Sequence, residues 1–252
     1  TNCLYAKKVK NEDGTGYIQN IIDVIANNSN TVYLDKNGGL YICGYSSNGI
    51  FLEKTPSTKG VTYLGQKNAI KITGGYINVG LITTTGKAVA WGQNDYGTFG
   101  AGNTSTKETI VAYDVNDFKI ACYGSIVLKE DGKAYAAGKN SYGQLGIGSY
   151  ESKAKLVQIE GLTDITSISA GETHSIALDS YGTVYGWGSN ANGELSSKYI
   201  GKDTSKPVVI SMPRDTIIQI SAGKGESAFV TTNGQVYGMG KILNGYIPGV
   251  TN

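Results

Sequence analysis

The sequence predicts an all-β fold built from five repeated, four-stranded units. Three observations carry that expectation. First, the pattern Gly-x-(Val/Leu/Ala)-(Tyr/Val)-x-x-Gly occurs five times: Gly38 to Gly44, Gly86 to Gly92, Gly132 to Gly138, Gly182 to Gly188 and Gly234 to Gly240. Its first glycines lie 48, 46, 50 and 52 residues apart. Self-similarity on a long, near-constant period marks a repeat architecture. Second, the units hold short apolar runs separated by turn residues, which is strand-and-hairpin chemistry. Third, no unit carries a convincing helical period. Four short strands in roughly fifty residues is the arithmetic of a propeller blade or a stacked β solenoid. Antiparallel hairpin turns inside each unit favour blades.

The elements follow in order. Leu4–Lys10 reads as a short strand and Asn11-Glu-Asp-Gly-Thr-Gly16 as a turn cluster. No Gly-Lys-Thr/Ser follows those glycines, so a phosphate loop is excluded. Each unit then opens on an apolar strand: Ile21–Ile25, Ala69–Ile72, Phe118–Ile120, Ile165–Ile168 and Ile217–Ile220. A small-residue turn leads into a second strand, such as Thr31–Leu34 or Ser175–Leu178. A tight turn ending on the first motif glycine comes next. Asn-Gly and Asp-Gly steps there suit a backbone that must reach positive φ. The third strand is the motif itself, and a longer excursion leads to a fourth strand in the complete units.

The repeats fall at about 21–68, 69–115, 116–163, 164–213 and 214–252, within one domain spanning residues 1–252. The fifth leaves little room for a fourth strand. The N-terminal strand is therefore expected to complete the last blade, closing a five-bladed ring and removing exposed sheet edges. The alternative is part of a larger propeller.

Composition narrows the function. The chain has 252 residues, a formal net charge of +2 and 17% charged residues. Arg214 is the sole arginine and no basic stripe exists, so a nucleic-acid partner is not expected. No apolar run is long enough to cross a membrane as a helix. Cys3, Cys43 and Cys122 show no metal or CxxC spacing. Cys43 shares its repeat position with Trp91, Ala137, Trp187 and Met239, and is expected to be a buried small hydrophobe.

The run Ser169-Ala-Gly-Glu-Thr-His-Ser-Ile-Ala-Leu178, then Gly182-Thr-Val-Tyr-Gly-Trp-Gly188, resembles the repeat of the regulator of chromosome condensation family. Asn140-Ser-Tyr-Gly-Gln-Leu-Gly146 is similar to that family's Asn-x-x-Gly-Gln-Leu-Gly segment. The resemblance implies an RCC1-like β-propeller, most often of seven blades, and a choice of functions including exchange factors, chromatin binding and enzyme inhibition. The family's histidine matches only His174, where the other repeats carry Asn30, Asn78, Gly124 and Glu226. Its tryptophan survives as Trp91 and Trp187. The Lys-, Asn- and Tyr-rich composition is similar to bacterial surface members, which implies an extracellular or cell-surface location, with a cytoplasmic one as the alternative.

No cofactor, metal site or catalytic group is expected. His174 has Glu172 and Ser175 as chain neighbours, which do not make a triad, and it is assigned a structural role with the ten motif glycines, Trp91 and Trp187. The candidate partner-binding residues are Tyr45, Tyr96 and Tyr142, in loops after the third strand, and Tyr181, in the turn before one. Tyrosine gives contact area at low entropic cost. The expected function is a non-catalytic scaffold engaging a protein through its loop face. A carbohydrate-binding adhesin and a structural spacer are the alternatives.

Overall fold

A computed structural model of the chain describes residues 6–196, 200–212 and 215–241. The described residues form nineteen strands in five antiparallel sheets. The first holds β1 (Ile21–Ala26), β2 (Asn30–Asp35), β3 (Gly39–Gly44) and β4 (Thr62–Gln66). The second holds β5 (Ala69–Gly74), β6 (Asn78–Thr83), β7 (Ala88–Gly92) and β8 (Thr109–Ala112). In the third are β9 (Val115–Ile120), β10 (Gly124–Lys129), β11 (Ala134–Gly138) and β12 (Lys153–Gln158). The fourth contains β13 (Ile165–Ala170), β14 (His174–Asp179), β15 (Val184–Gly188) and β16 (Thr204–Val209). The fifth has three strands, β17 (Ile217–Ala222), β18 (Glu226–Thr231) and β19 (Val236–Gly240). Strand order in every sheet is chain order.

The turn chemistry explains this regularity. Between β2 and β3, Asp35 accepts hydrogen bonds through Oδ1 from the amides of Asn37 (2.8 Å) and Gly39 (2.9 Å). Asp179 does the same for Tyr181 (2.9 Å) and Thr183 (2.8 Å). At the far end of the motif, Gly44 and Gly188 have φ of 115° and 99°. A Cβ at Gly188 would lie 2.6 Å from the Thr173 carbonyl oxygen. The strand can therefore leave the sheet there only as glycine.

Burial follows from sheet stacking. Four apolar cores lie among the described residues, each between two neighbouring sheets. Leu34 and Leu40 of the first meet Ile72 and Trp91 of the second. Ile82 and Phe99 meet Phe118 and Val127; Leu128 and Leu145 meet Ile168 and Trp187; Leu178 and Leu195 meet Ile217 and Phe229. Each sheet thus needs its neighbour to bury a face. Polar bonds cross the same seams. Ser125, Ser175 and Ser227 donate their hydroxyls to the carbonyls of Thr98, Gln144 and Glu194 in the preceding sheet's loop. Trp91 and Trp187 donate their indole N–H to Ile50 and Gln144 carbonyls, both at 2.9 Å.

Two expectations about the ends are corrected. The sheets stack in series, β1 and β2 against β5, through to β13 and β14 against β17, and among the described residues no propeller ring is closed. Nor, among the described residues, does the N-terminal segment complete the fifth sheet. Residues 4 and 5 lie outside the described residues, and Lys10 instead accepts the Val61 amide (3.1 Å) and bridges to Tyr17, against the first sheet. The Ser57 hydroxyl donates to the Glu12 carbonyl at 2.7 Å. These local partners satisfy the segment's backbone where it stands.

Candidate interaction face

β2 starts opposite the end of β3, with Asn30 paired to Gly44 and His174 to Gly188. The turns joining first to second strands and the loops leaving third strands therefore share one end of every sheet. The five inner turns surround a cavity of about 600 Å³, with Asn28, Tyr76, Cys122, Tyr123, Glu172 and Lys224 on its wall. Neighbouring turns are tied by backbone bonds, Asn28 N–H to the Tyr76 carbonyl (3.1 Å) and Glu172 N–H to the Gly223 carbonyl (3.2 Å). Lys224 pairs with Glu172 at 3.2 Å, which holds the ammonium pKa above its ordinary value. Burial, seconded by the Glu172 charge, pushes the Cys122 thiol up.

The outer loops are held by buried asparagines. Asn140 accepts the Leu145 amide (2.9 Å) and donates to the carbonyls of Ser149 (2.8 Å) and Glu151 (3.0 Å). Asn94 and Asn190 make the equivalent bonds to Phe99 and Leu195. Tyr96 and Tyr142 ride on these loops, 40% and 42% exposed. Tyr45 stands one residue after Gly44 and is also exposed. Tyr181 sits at the other end of the sheet, in the β14–β15 turn, away from the other three. Tyr96 meets Tyr123 edge to face, with centroids 5.4 Å apart, and the Lys139 ammonium lies over both rings. Burial and the neighbouring Cys122, Tyr76 and Tyr96 raise the Tyr123 pKa. Tyr76 and Tyr123 were not selected from sequence. Their signal is a tyrosine inside the small-residue turn before the second strand.

His174 is fully buried. Its Nε2 lies 2.9 Å from the Ser227 hydroxyl, which donates onward to the Glu194 carbonyl, so Nε2 carries the ring proton. Burial lowers its pKa to about 4, against the raising effect of Glu194. Its repeat position fixes the inner turn: at the same place Asn78 accepts the Gly75 amide (2.8 Å) and Glu226 the Lys224 amide (3.2 Å). Cys3 lies outside the described residues, and Cys43 is half-buried rather than buried, because among the described residues no preceding sheet covers its face. Among the described residues no group of three His, Cys, Asp or Glu could hold a metal ion, and no helix is long and apolar enough to cross a membrane.

The fold and this face define a repeat scaffold whose constant part is four-stranded and whose variable part is its turns and loops. The pattern of the regulator of chromosome condensation (RCC1) repeat matches residues 131–178 and 181–230, and a second pattern of the same repeat matches 165–194. An RCC1 domain-containing protein of Dictyostelium discoideum is 44% identical over 84 residues, 33% of this chain and 12% of that protein. A human probable E3 ubiquitin-protein ligase, HERC6, is 31% identical over 176 residues, 64% of this chain and 17% of that protein. The chain thus spans under a fifth of these relatives' length. Among solved structures, Prp20p of Saccharomyces cerevisiae, described with its binding to Gsp1p and histones, superposes with a TM-score of 0.72 at 21% identity. It covers 89% of this chain and 57% of that one.

These findings correct the expected source and place. The relatives are eukaryotic proteins, so the reading as a bacterial, secreted or cell-surface protein is withdrawn. Residues 131–178 and 181–230 thus carry RCC1-type repeats, and the described residues share the fold of Prp20p.

Proposed function

We propose that the chain binds a protein partner through the end of the sheets that carries the inner turns and outer loops. The supporting observation is the cluster of Tyr76, Tyr96 and Tyr123 beside a cavity of about 600 Å³, with Lys139 and Lys224 at hand. Rigid aromatics around a concavity, on loops fixed by buried asparagines, are the make-up of a binding hot spot. Prp20p, similar in fold, is described as binding Gsp1p and histones. Gsp1p and a histone are therefore the first probes.

The test places a photo-crosslinking amino acid at Tyr96, at Tyr142 or at Tyr181 in turn. A protein adduct is expected from the first two and none from Tyr181 at the other end. Adducts from Tyr181 alone, or glycan binding without any protein adduct, would overturn the reading. Tyr123→Ala is expected to weaken the captured partner roughly 30-fold, the equivalent of about 2 kcal/mol at a hot spot.

A further inference from the structure

Asparagine followed by glycine is chemically fragile when the glycine nitrogen is free to attack the asparagine side chain, because glycine has no Cβ in the way. The described residues hold four such steps: Asn37-Gly38, Asn48-Gly49, Asn192-Gly193 and Asn233-Gly234. All lie in turns, but not at the same place in them. In three, the glycine ends the turn and its amide closes it. Gly38 N–H donates to the Asp35 carbonyl (3.0 Å), Gly193 to Asn190 (3.3 Å) and Gly234 to Thr231 (3.0 Å). Two of these asparagine side chains are held as well, Asn192 by Glu194 (3.0 Å) and Asn233 by Asp215 (3.4 Å).

The outer loop of the first repeat is built differently. Ser46 stands where the other loops have Asn94, Asn140 and Asn190, whose carbonyls accept the Gly97, Gly143 and Gly193 amides. Gly49 is the counterpart of those glycines, but the turn has slipped by one residue: Ile50 N–H closes it on the Ser47 carbonyl (3.1 Å). Asn48 and Gly49 become its central pair, with φ of 51° and 71°. Both are exposed, and among the described residues no group accepts the Gly49 amide or bonds the Asn48 side chain. Gly49 also lines an open hollow of about 340 Å³, which gives water access.

We propose that Asn48 is a modification site, at which the chain deamidates without an enzyme. The Gly49 nitrogen bonds to the Asn48 side-chain carbonyl carbon. The bond from that carbon to Nδ2 breaks, and Nδ2 leaves as ammonia with the Gly49 proton. Water then opens the cyclic imide at either carbonyl, giving aspartate or, with the main chain rerouted through the side chain, isoaspartate. Nothing is oxidised or reduced, and water is the only co-reactant. The product sets a new carboxylate on the end of the sheets that carries Tyr45, Tyr96 and Tyr142. The inference does not depend on the identity of a partner.

The test uses the whole, unaltered chain, held folded at mildly alkaline pH and sampled over time. Tandem mass spectrometry of its peptides assigns the amide-to-acid mass change to each asparagine, and electron-based fragmentation separates isoaspartate from aspartate. Asn48 is expected to react roughly tenfold faster than Asn37, Asn192 and Asn233, where a hydrogen bond must first open. In concentrated urea the turns are lost and the four rates are expected to converge. Ser46→Asn restores the residue of the other loops and is expected to slow the reaction at Asn48, with circular dichroism verifying the fold. A folded-state rate at Asn48 no higher than at the other three would overturn the proposal. So would a preference for Asn48 that persists unchanged in urea, since the turn would then have no part in it.

Discussion

The carbonyl of Gln144 accepts two hydrogen bonds across a seam between sheets, from the Ser175 hydroxyl at 3.0 Å and the Trp187 indole at 2.9 Å. All three residues are buried. Removing one donor leaves the carbonyl satisfied; removing both leaves it orphaned. Ser175→Ala is expected to cost about 1 kcal/mol, the net worth of one hydrogen bond. Trp187→Phe is expected to cost about 2 kcal/mol, from the lost bond and the space left by the smaller ring. The double variant adds the desolvation penalty of a buried, unpaired carbonyl, about 1–2 kcal/mol beyond the sum. Urea unfolding of the four proteins, followed by far-UV circular dichroism, reads the cycle without relying on the tryptophan signal. Additivity within about 0.3 kcal/mol would show that the two donors act independently and refute the shared-acceptor account.

Burial lowers the His174 pKa to about 4, so the folded state resists a proton that the unfolded chain accepts near 6.5. The stabilising contribution is present in full above pH 6.5 and is lost as pH falls towards 4, up to about 3 kcal/mol. Thermal melts between those values should therefore fall with pH, and His174→Asn should flatten the slope; an unchanged slope would show that other groups control it. Gly188 and Gly161 both have positive φ, 99° and 82°, but only at Gly188 would a Cβ meet backbone. Gly161→Ala is expected to cost about 1 kcal/mol from backbone conformation. Gly188→Ala should cost clearly more, and equal melting temperatures would contradict the close approach.

What was legible in the sequence was local. The motif glycines, the hairpin Asn-Gly and Asp-Gly steps and the alternation of Ile217–Ile220 each encode one turn or one strand, and the structure forms them through near neighbours. The carbonyl bonds of Ser125, Ser175 and Ser227 were not legible, because their acceptors lie 27, 31 and 33 residues away in loops of another sheet. The N-terminal segment failed for the same reason. Its phase suited a last blade, but its partners, Ser57 and Val61, sit in an irregular loop that no periodicity announces. Tyr45, Tyr96 and Tyr142 could be chosen as loop residues. That Tyr123 stands behind Tyr96 depends on two neighbouring repeats stacking. Tyr181 stands apart from them already in the sequence, in the turn before a third strand rather than the loop after one. Composition carried no information about source, since lysine, asparagine and tyrosine content does not encode the lineage of a repeat.

The serial stacking of the sheets also shapes how the chain acquires its fold. Among the described residues every strand pairs with one close in sequence, and every core joins two consecutive units, so little loop entropy is spent before contacts begin to repay it. Order can start in any interior unit and spread outwards one seam at a time, as in other one-dimensional arrays. Among the described residues the second, third and fourth sheets are packed on both faces and the first and fifth on one. Amide protection should accordingly be deepest around β10 and shallowest at β1 and β19, a gradient of local opening written by position along the series rather than by composition.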